Sequence, residues 1–269
     1  MSGSWAHGRT AATDERIARS AAGHRGLTYA RRTPPEQCRW RRGRRAVAGP
    51  IPWSARFSYG IGLLATDGWV TTPRRGGQPG HVGFTSKDKA LVESFLSCFE
   101  LTNHIRERDR DGHVHFETNT GKVAIFEWAR TIGIDPRKSR TVASLSVPDE
   151  LLPHVVRGHV DGDGSVTWSR RGPRGDQFQV RFHSASRPHL DWLRARSLPL
   201  TTTAGSLTVR TPIGGYGRVP MPMHTLAYGR RASERLLEVL YADPAAPRLE
   251  RKWRAWMAYR SRQPRSGLP

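Results

Sequence analysis

From Ile51 onward the apolar positions change period in a repeating order. Ser54 opens a helix through Phe57, Ile61, Leu64 and Ala65, and Gly68 after Asp67 stops it. Trp69 to Thr72 and His81 to Thr85 predict a hairpin around Arg74-Arg75-Gly76-Gly77. Ser86 is expected to cap a second helix over about Lys87–Phe99, with Leu91, Phe95 and Leu96 on one face. Asn103 to Arg108 and His113 to Thr118 predict a second hairpin turning at Asp111-Gly112, and Lys122 to Ile132 a third helix ended by Gly133. The order is helix, hairpin, helix, hairpin, helix.

The same order then recurs. A helix starts at Pro148-Asp149-Glu150 and runs through Leu152, Val155, Val156 and Val160 to Asp163-Gly164. Strands Ser165–Arg170 and Phe178–His183 follow, then a helix opened by Ser186-Arg187-Pro188. Next come strands Ser206–Arg210 and Met221–Tyr228, a helix Ala232–Tyr241 and a last one over Arg248–Arg260. The two Asp-Gly steps lie 96 residues apart, far longer than a solenoid unit. The expected fold class is α+β, with two pseudo-twofold halves at 51–145 and 146–269 behind a basic arm at 1–50. Such symmetry suits a partner with its own approximate twofold, such as duplex DNA.

Charge sharpens that expectation. The 269-residue chain carries 44 Lys and Arg against 23 Asp and Glu, a formal +21, which points to a polyanion. Residues 1–50 alone hold eleven Arg, including Arg39, Arg41, Arg42, Arg44 and Arg45, and suit phosphates; a short helix at about Thr13–Ala22 is expected there. Two cysteines, Cys38 and Cys98, exclude a disulfide framework or a Cys-rich zinc module. No run of 18 apolar residues and no apolar leader occurs, so a cytoplasmic location is expected, with association to the nucleoid when DNA is bound, and no membrane partner.

The two repeat-leading helices end alike, in Gly62-Leu63-Leu64-Ala65-Thr66-Asp67-Gly68 and Gly158-His159-Val160-Asp161-Gly162-Asp163-Gly164. Gly62 and Thr66 match Gly158 and Gly162. Small residues four apart let two helix backbones approach, so each helix would deliver one Asp to a shared point. A carboxylate at a helix C-terminus opposes the macrodipole, and two together repel. A divalent cation reverses that sign, and Mg²⁺ suits one or two carboxylates plus phosphate oxygens; Mn²⁺ fits the same ligands. Asp161, matched by Ala65, is expected to make a helix-end or inter-repeat polar contact instead.

These motifs resemble those of the LAGLIDADG homing endonucleases, in the single-chain form with two copies. Phe84-Thr85-Ser86-Lys87-Asp88, Lys138-Ser139-Arg140-Thr141 and Phe182-His183-Ser184-Ala185-Ser186 also match, and the resemblance spans about 53–260. It implies αββαββα repeats, with motif helices packed on the pseudo-twofold axis and four-stranded saddles in the major groove. It implies double-strand cleavage across the minor groove, with Asp67 and Asp163 as metal ligands. Lys87 falls where the family often has a basic residue near the scissile phosphate, and Lys122 is a second basic candidate. Ala185 stands opposite Lys87, where Arg187 is the nearby compensating cation. DNA contacts are expected from Arg74, Arg75, Arg106, Arg108, Arg110, Arg170, Arg171, Arg174, Arg181, Arg210 and Arg218, most of them to phosphate. Lys252, in Glu250-Arg251-Lys252-Trp253, is expected on a solvated face with Trp253 and Trp256 inward.

The leading expectation is therefore a site-specific, metal-dependent DNA endonuclease acting as a monomer on a long pseudo-symmetric site. No splicing nucleophile stands at position 1, so a free-standing enzyme is expected. The alternative is a non-cleaving binder on the same fold, a transcription regulator or an intron maturase with intron RNA as partner. A pure binder has no need of two facing aspartates. A third is a folded but degenerate element.

Overall fold

The computed structural model describes residues 49–73, 80–110, 112–170, 176–211 and 222–262. The expected helix at 13–22, the basic arm, Cys38, and Arg74, Arg75, Arg171, Arg174 and Arg218 lie outside the described residues, as does the side chain of Arg170.

The first motif helix, α1 (Ala55–Ala65), is capped as the sequence predicts: Ser54 Oγ accepts from the Phe57 amide at 3.1 Å. Every residue from Phe57 to Ala65 is buried, so the helix sits inside the molecule, not on its surface. Strands β1 (Gly68–Val70), β2 (Val82–Ser86), β3 (Arg106–Arg110) and β4 (His113–Thr120) follow, with α2 (Lys89–Cys98) between β2 and β3 and α3 (Val123–Ile132) after β4. Gly133, at φ 109°, ends α3 in the left-handed conformation.

The second half repeats the plan. A 3₁₀ turn at Asp149–Leu151 leads into the second motif helix, and α4 (Lys138–Thr141) is the short turn before it. That motif helix is α5 (Leu152–Asp161), followed by β5 (Ser165–Arg170), β6 (Asp176–Ser184), α6 (Arg187–Arg196), α7 (Leu198–Thr201), β7 (Ser206–Arg210), β8 (Met223–Tyr228), α8 (Arg230–Leu240) and α9 (Glu250–Arg260). The sheets are antiparallel and share one topology, β1-β2-β4-β3 and β5-β6-β8-β7.

Several boundaries shift for physical reasons. The second helix begins at Lys89, not Lys87, because β2 pairs through Ser86 with Phe116 of β4. Ser86 Oγ instead accepts from the Asp88 amide, a turn that precedes the helix. Ser184 Oγ does the same for Ser186 in the second half. Strand β3 starts at Arg106, three residues after the expected Asn103, and runs on to Arg110 against His113. Likewise β8 starts at Met223 opposite Arg210, and α8 spans Arg230–Leu240.

Register assigns the sheet faces. In the first sheet Val82 and Phe84, opposite Thr120 and Thr118, face the core. In the second, Phe178, Val180 and Phe182 do so with Leu226 and Tyr228. Two apolar clusters form, one over each sheet, and the motif helices bridge them: Val155 of α5 packs into the first cluster while Val156 and Val160 serve the second. Among the described residues no helix is long and apolar enough to cross a membrane.

Candidate functional site

The two motif helices touch backbone to backbone. A methyl on Gly62 would lie 2.2 Å from the Val155 carbonyl oxygen, and one on Gly158 would lie 2.4 Å from that of Tyr59. A methyl on Gly162 would lie 2.0 Å from Thr66 Oγ1, which itself donates to the Leu63 carbonyl at 2.9 Å. Only hydrogen fits at these three positions. The small residues picked from the sequence are therefore the ones on which the two helix ends converge.

Beyond that seam the chain leaves each helix and enters its first strand, and the aspartates stand at the junctions. The carboxyl groups of Asp67 and Asp163 come within hydrogen-bonding reach of each other. Burial, and then the Asp163 charge, push the Asp67 carboxyl up to about 7. Two groups pull the other way, Lys138 and Lys252.

Those lysines are the cations that the fold brings to the acid pair. Lys138, in α4 near the end of the first half, donates from Nζ to the carbonyls of Ala65, at 2.9 Å, and Thr66. Lys252, in α9 at the end of the second, reaches the carbonyls of Val160, Asp161, Gly162 and Gly164 at 2.6 to 2.8 Å. Ala65 and Thr66 correspond to Asp161 and Gly162, so each lysine closes the C-terminus of one motif helix in the same way. An ammonium there satisfies carbonyls left without helical partners and opposes the dipole's negative end. Burial lowers both lysines to about 8, against the pull of the nearby aspartates.

Lys252 corrects the sequence reading: it is 4% exposed, not on a solvated face, although Trp256 beside it packs inward as expected. The two basic candidates from the sequence lie elsewhere. Lys87 is exposed in the turn between β2 and α2. Lys122 caps the start of α3 and donates to the Glu100 carbonyl at 3.4 Å. Arg187, the compensating candidate, pairs with Asp191 one turn along α6. The sequence offered one signal for the lysines, the run starting at Lys138, but none that paired it with Lys252.

Asp161 makes the inter-element contact expected of it. Its carboxylate accepts from Tyr59 Oη at 2.9 Å, Tyr241 Oη at 2.7 Å and the Leu249 amide at 2.8 Å. Leu249 caps α9, so this anchor sets where Lys252 enters.

The faces of the sheets away from the core are polar. Arg106, Arg108 and Arg110 share one face of β3, opposite Glu117, His115 and His113. Arg110 pairs with Glu117 at 3.3 Å. On the second sheet Arg181 and Arg210 lie on the outer face with Thr167, Gln179 and Thr225; Arg181 is held by Gln179 Oε1. These are the arginines from the sequence whose placement is described.

Two αββαββα halves joined along glycine-seamed motif helices form a fold also found in a solved homing endonuclease structure. Solved structures with this fold superpose on the chain. The homing endonuclease I-WcaI bound to its DNA recognition sequence matches with a TM-score of 0.50 at 11% identity, over 76% of this chain and 88% of that one. I-DmoI in complex with DNA and Ca gives 0.48 at 12%, over 74% and 96%. The I-LtrWI LAGLIDADG homing endonuclease bound to target DNA gives 0.45 at 12%, over 77% and 87%. At these identities the likeness is one of fold. No family model and no curated protein matches the sequence.

Proposed function

We propose that this chain is a site-specific endonuclease that cuts both strands of duplex DNA, each half of the molecule serving one strand. The observation that carries this reading is the meeting of Asp67 and Asp163 at the seam, against both their mutual repulsion and the helix dipoles. An arrangement that costs stability in the bare protein has a purpose if a cation and a phosphate complete it. The donor set fits: two carboxylates offer the hard oxygen ligands that Mg²⁺ takes together with phosphate oxygens. Mn²⁺ suits the same ligands.

Asp67 and Asp163 would hold the cation and orient it toward the scissile phosphates. A divalent cation there supplies Lewis-acid polarisation of the phosphate. Lys138 and Lys252 keep two ammonium groups beside the carboxylates; with pKa values near 8 they are charged at neutral pH and sit close to the range where a side chain can move a proton. The arginine-bearing outer faces of the sheets would lie on the DNA, with Arg106, Arg108, Arg181 and Arg210 on phosphates or bases. Both half-sites lie in one chain, so the enzyme would act as a monomer on a long, pseudo-symmetric target and mobilise its own coding element.

The test is cleavage of a randomised duplex library in Mg²⁺, in Mn²⁺ and in EDTA, with the new ends sequenced, beside Asp67→Asn and Asp163→Asn. Metal-dependent ends at one long site, lost as double-strand breaks in either variant, are the expected result. Retention of one sequence without new ends would replace this reading by that of a DNA-binding regulator.

A further inference from the structure

The two halves differ at a pair of buried positions beside the seam. His159, on α5, follows Gly158 and so corresponds to Leu63; His189, on α6, corresponds to Leu91 of α2. Leu63 and Leu91 are buried, as are both histidines, at 3% exposure each. One half thus fills these positions with two leucines and the other with two imidazoles. The fold does not need the histidines.

The imidazoles meet head-on. Their Nε2 atoms are 2.8 Å apart while the ring centroids are 5.0 Å apart, a difference of about two ring radii. Each Nδ1 faces a carbonyl: that of His159 lies 2.9 Å from the Val155 oxygen, and that of His189 lies 2.8 Å from the Ala143 oxygen. The chain of contacts therefore runs carbonyl, ring, ring, carbonyl, with three gaps. Each gap needs one proton, since carbonyl oxygens and bare ring nitrogens only accept. Two neutral imidazoles bring two. In any neutral arrangement one gap sets lone pair against lone pair.

We propose that His159 and His189 share a third proton between their Nε2 atoms, and that the pair is a clasp tying the second motif helix to the connector between the repeats. Ala143 lies on that connector, which α6 also grips through Ser186 Oγ on the Val142 carbonyl at 2.5 Å and Arg196 on the Val147 carbonyl at 3.1 Å. His159 stands one turn before Asp163. A cavity of about 20 Å³, room for about one water, adjoins both histidines together with Thr66, Asp163 and His183. The surroundings both oppose and favour the extra charge. Burial pushes both rings toward the neutral form, His159 to about 3; the facing His189 adds to that push on His159 and Lys138 adds to it on both, while the Val155 and Ala143 carbonyls pull the other way. Asp163 and His183, on the cavity wall, are the other titratable groups facing the pair, and Trp192 stacks on His189 at 5.5 Å. Against burial stands the cost of leaving a short contact without its proton.

The consequence for cleavage rests on the endonuclease reading; the proton itself does not. When the shared proton leaves at alkaline pH, one contact of the clasp fails and Asp163 loses its support. Asp67 lies in the half that carries Leu63 and Leu91 at these positions, which have no proton to lose. The molecule then becomes a nickase.

The first measurement is the ring-nitrogen spectrum of full-length protein labelled with ¹⁵N in histidine only, at about pH 7.5, with His159→Leu and His189→Leu for assignment. The expected result is a proton on both Nδ1 atoms and one far-downfield proton correlated with both Nε2 atoms. A bare Nδ1 on either ring, or no proton between the Nε2 atoms, overturns the clasp. The second uses the double variant His159→Leu/His189→Leu, which copies the leucine pair of the first half. The ratio of nicked to linear plasmid is followed as pH rises through release of the proton. It should climb several-fold in the wild type and stay flat in the double variant, which keeps both aspartates and both lysines. An equal climb in both assigns the effect to the lysines and overturns the clasp's role. A protein that cuts nothing at any pH removes the endonuclease reading while the proton spectrum still decides the clasp.

Discussion

Lys252 has the sequence surroundings of a surface residue, between Arg251 and Trp253 on a helix of low mean hydropathy. Yet its ammonium is buried against carbonyls some 90 residues earlier in the chain. Nothing local announces that, because a backbone carbonyl is present at every position and leaves no trace in composition. Asp67 and Asp163 were legible for the opposite reason: a carboxylate at a helix C-terminus is locally unfavourable, and twice over it demands an explanation. Two tests belong at this scale. Lys252→Met leaves four carbonyls without their donor and should lower the unfolding free energy by ~3 kcal/mol in chemical denaturation, where the exposed Lys87→Met changes little. For Asp67, the native protein without metal keeps a proton from its ordinary value near 3.8 up to about 7, while the unfolded chain releases it. The native state then binds more protons than the unfolded one across that window, so stability falls as pH rises through it. Denaturation with EDTA present, from about pH 4 to 7, should show this downward slope relative to Asp67→Asn.

At the scale of elements, the motif helices were the most readable part of the chain, because two glycine-marked apolar segments ending in Asp-Gly leave few packing solutions. Where reading failed, a neighbour decided. Ser86 looks like a helix cap, but the pairing of β2 with β4 claims it and delays α2 by two residues. The His159–His189 contact was visible only as a polar residue breaking the Val155, Val156, Val160 stripe, and its meaning needed α6 and the connector. The seam gives the sharpest prediction here. Gly158→Ala puts a methyl 2.4 Å from the Tyr59 carbonyl and 2.8 Å from Gly62 Cα, with backbone on both sides. It should cost ~2–3 kcal/mol in denaturant unfolding and reduce cleavage even where the variant is folded, because separating the helices separates the aspartates.

For the whole molecule, the internal repeat was legible in order but not in detail. Equivalent positions lie 96 residues apart at Asp67 and Asp163, 98 at Leu91 and His189, and 114 at Lys138 and Lys252. The drift reflects longer connections in the second half, and it hides the lysine pair from any comparison at fixed period. The charge of +21 was read as pointing to a polyanion, and the outer face of the first sheet carries part of it in Arg106, Arg108 and Arg110. Binding to duplex DNA should weaken with salt along a straight double-logarithmic line, with a slope of about −0.9 per phosphate contacted. Arg106→Ala and Arg108→Ala should each flatten that slope by about 1 if the arginine holds a phosphate, and should relax base preference at one position if it reads a base.

The glycine seam has a mechanical meaning as well. Each sheet is rooted, through its first strand, at the end of one motif helix, and the helices bear on each other where Gly62 and Gly158 cross. The crossing is a fulcrum and the sheets are its two long arms. The carboxylates of Asp67 and Asp163 stand at the two roots, between helix and arm. In the proposed reading the spacing of Asp67 and Asp163 would be a gauge of how both arms are seated, and a duplex that seats only one of them would leave the pair out of alignment.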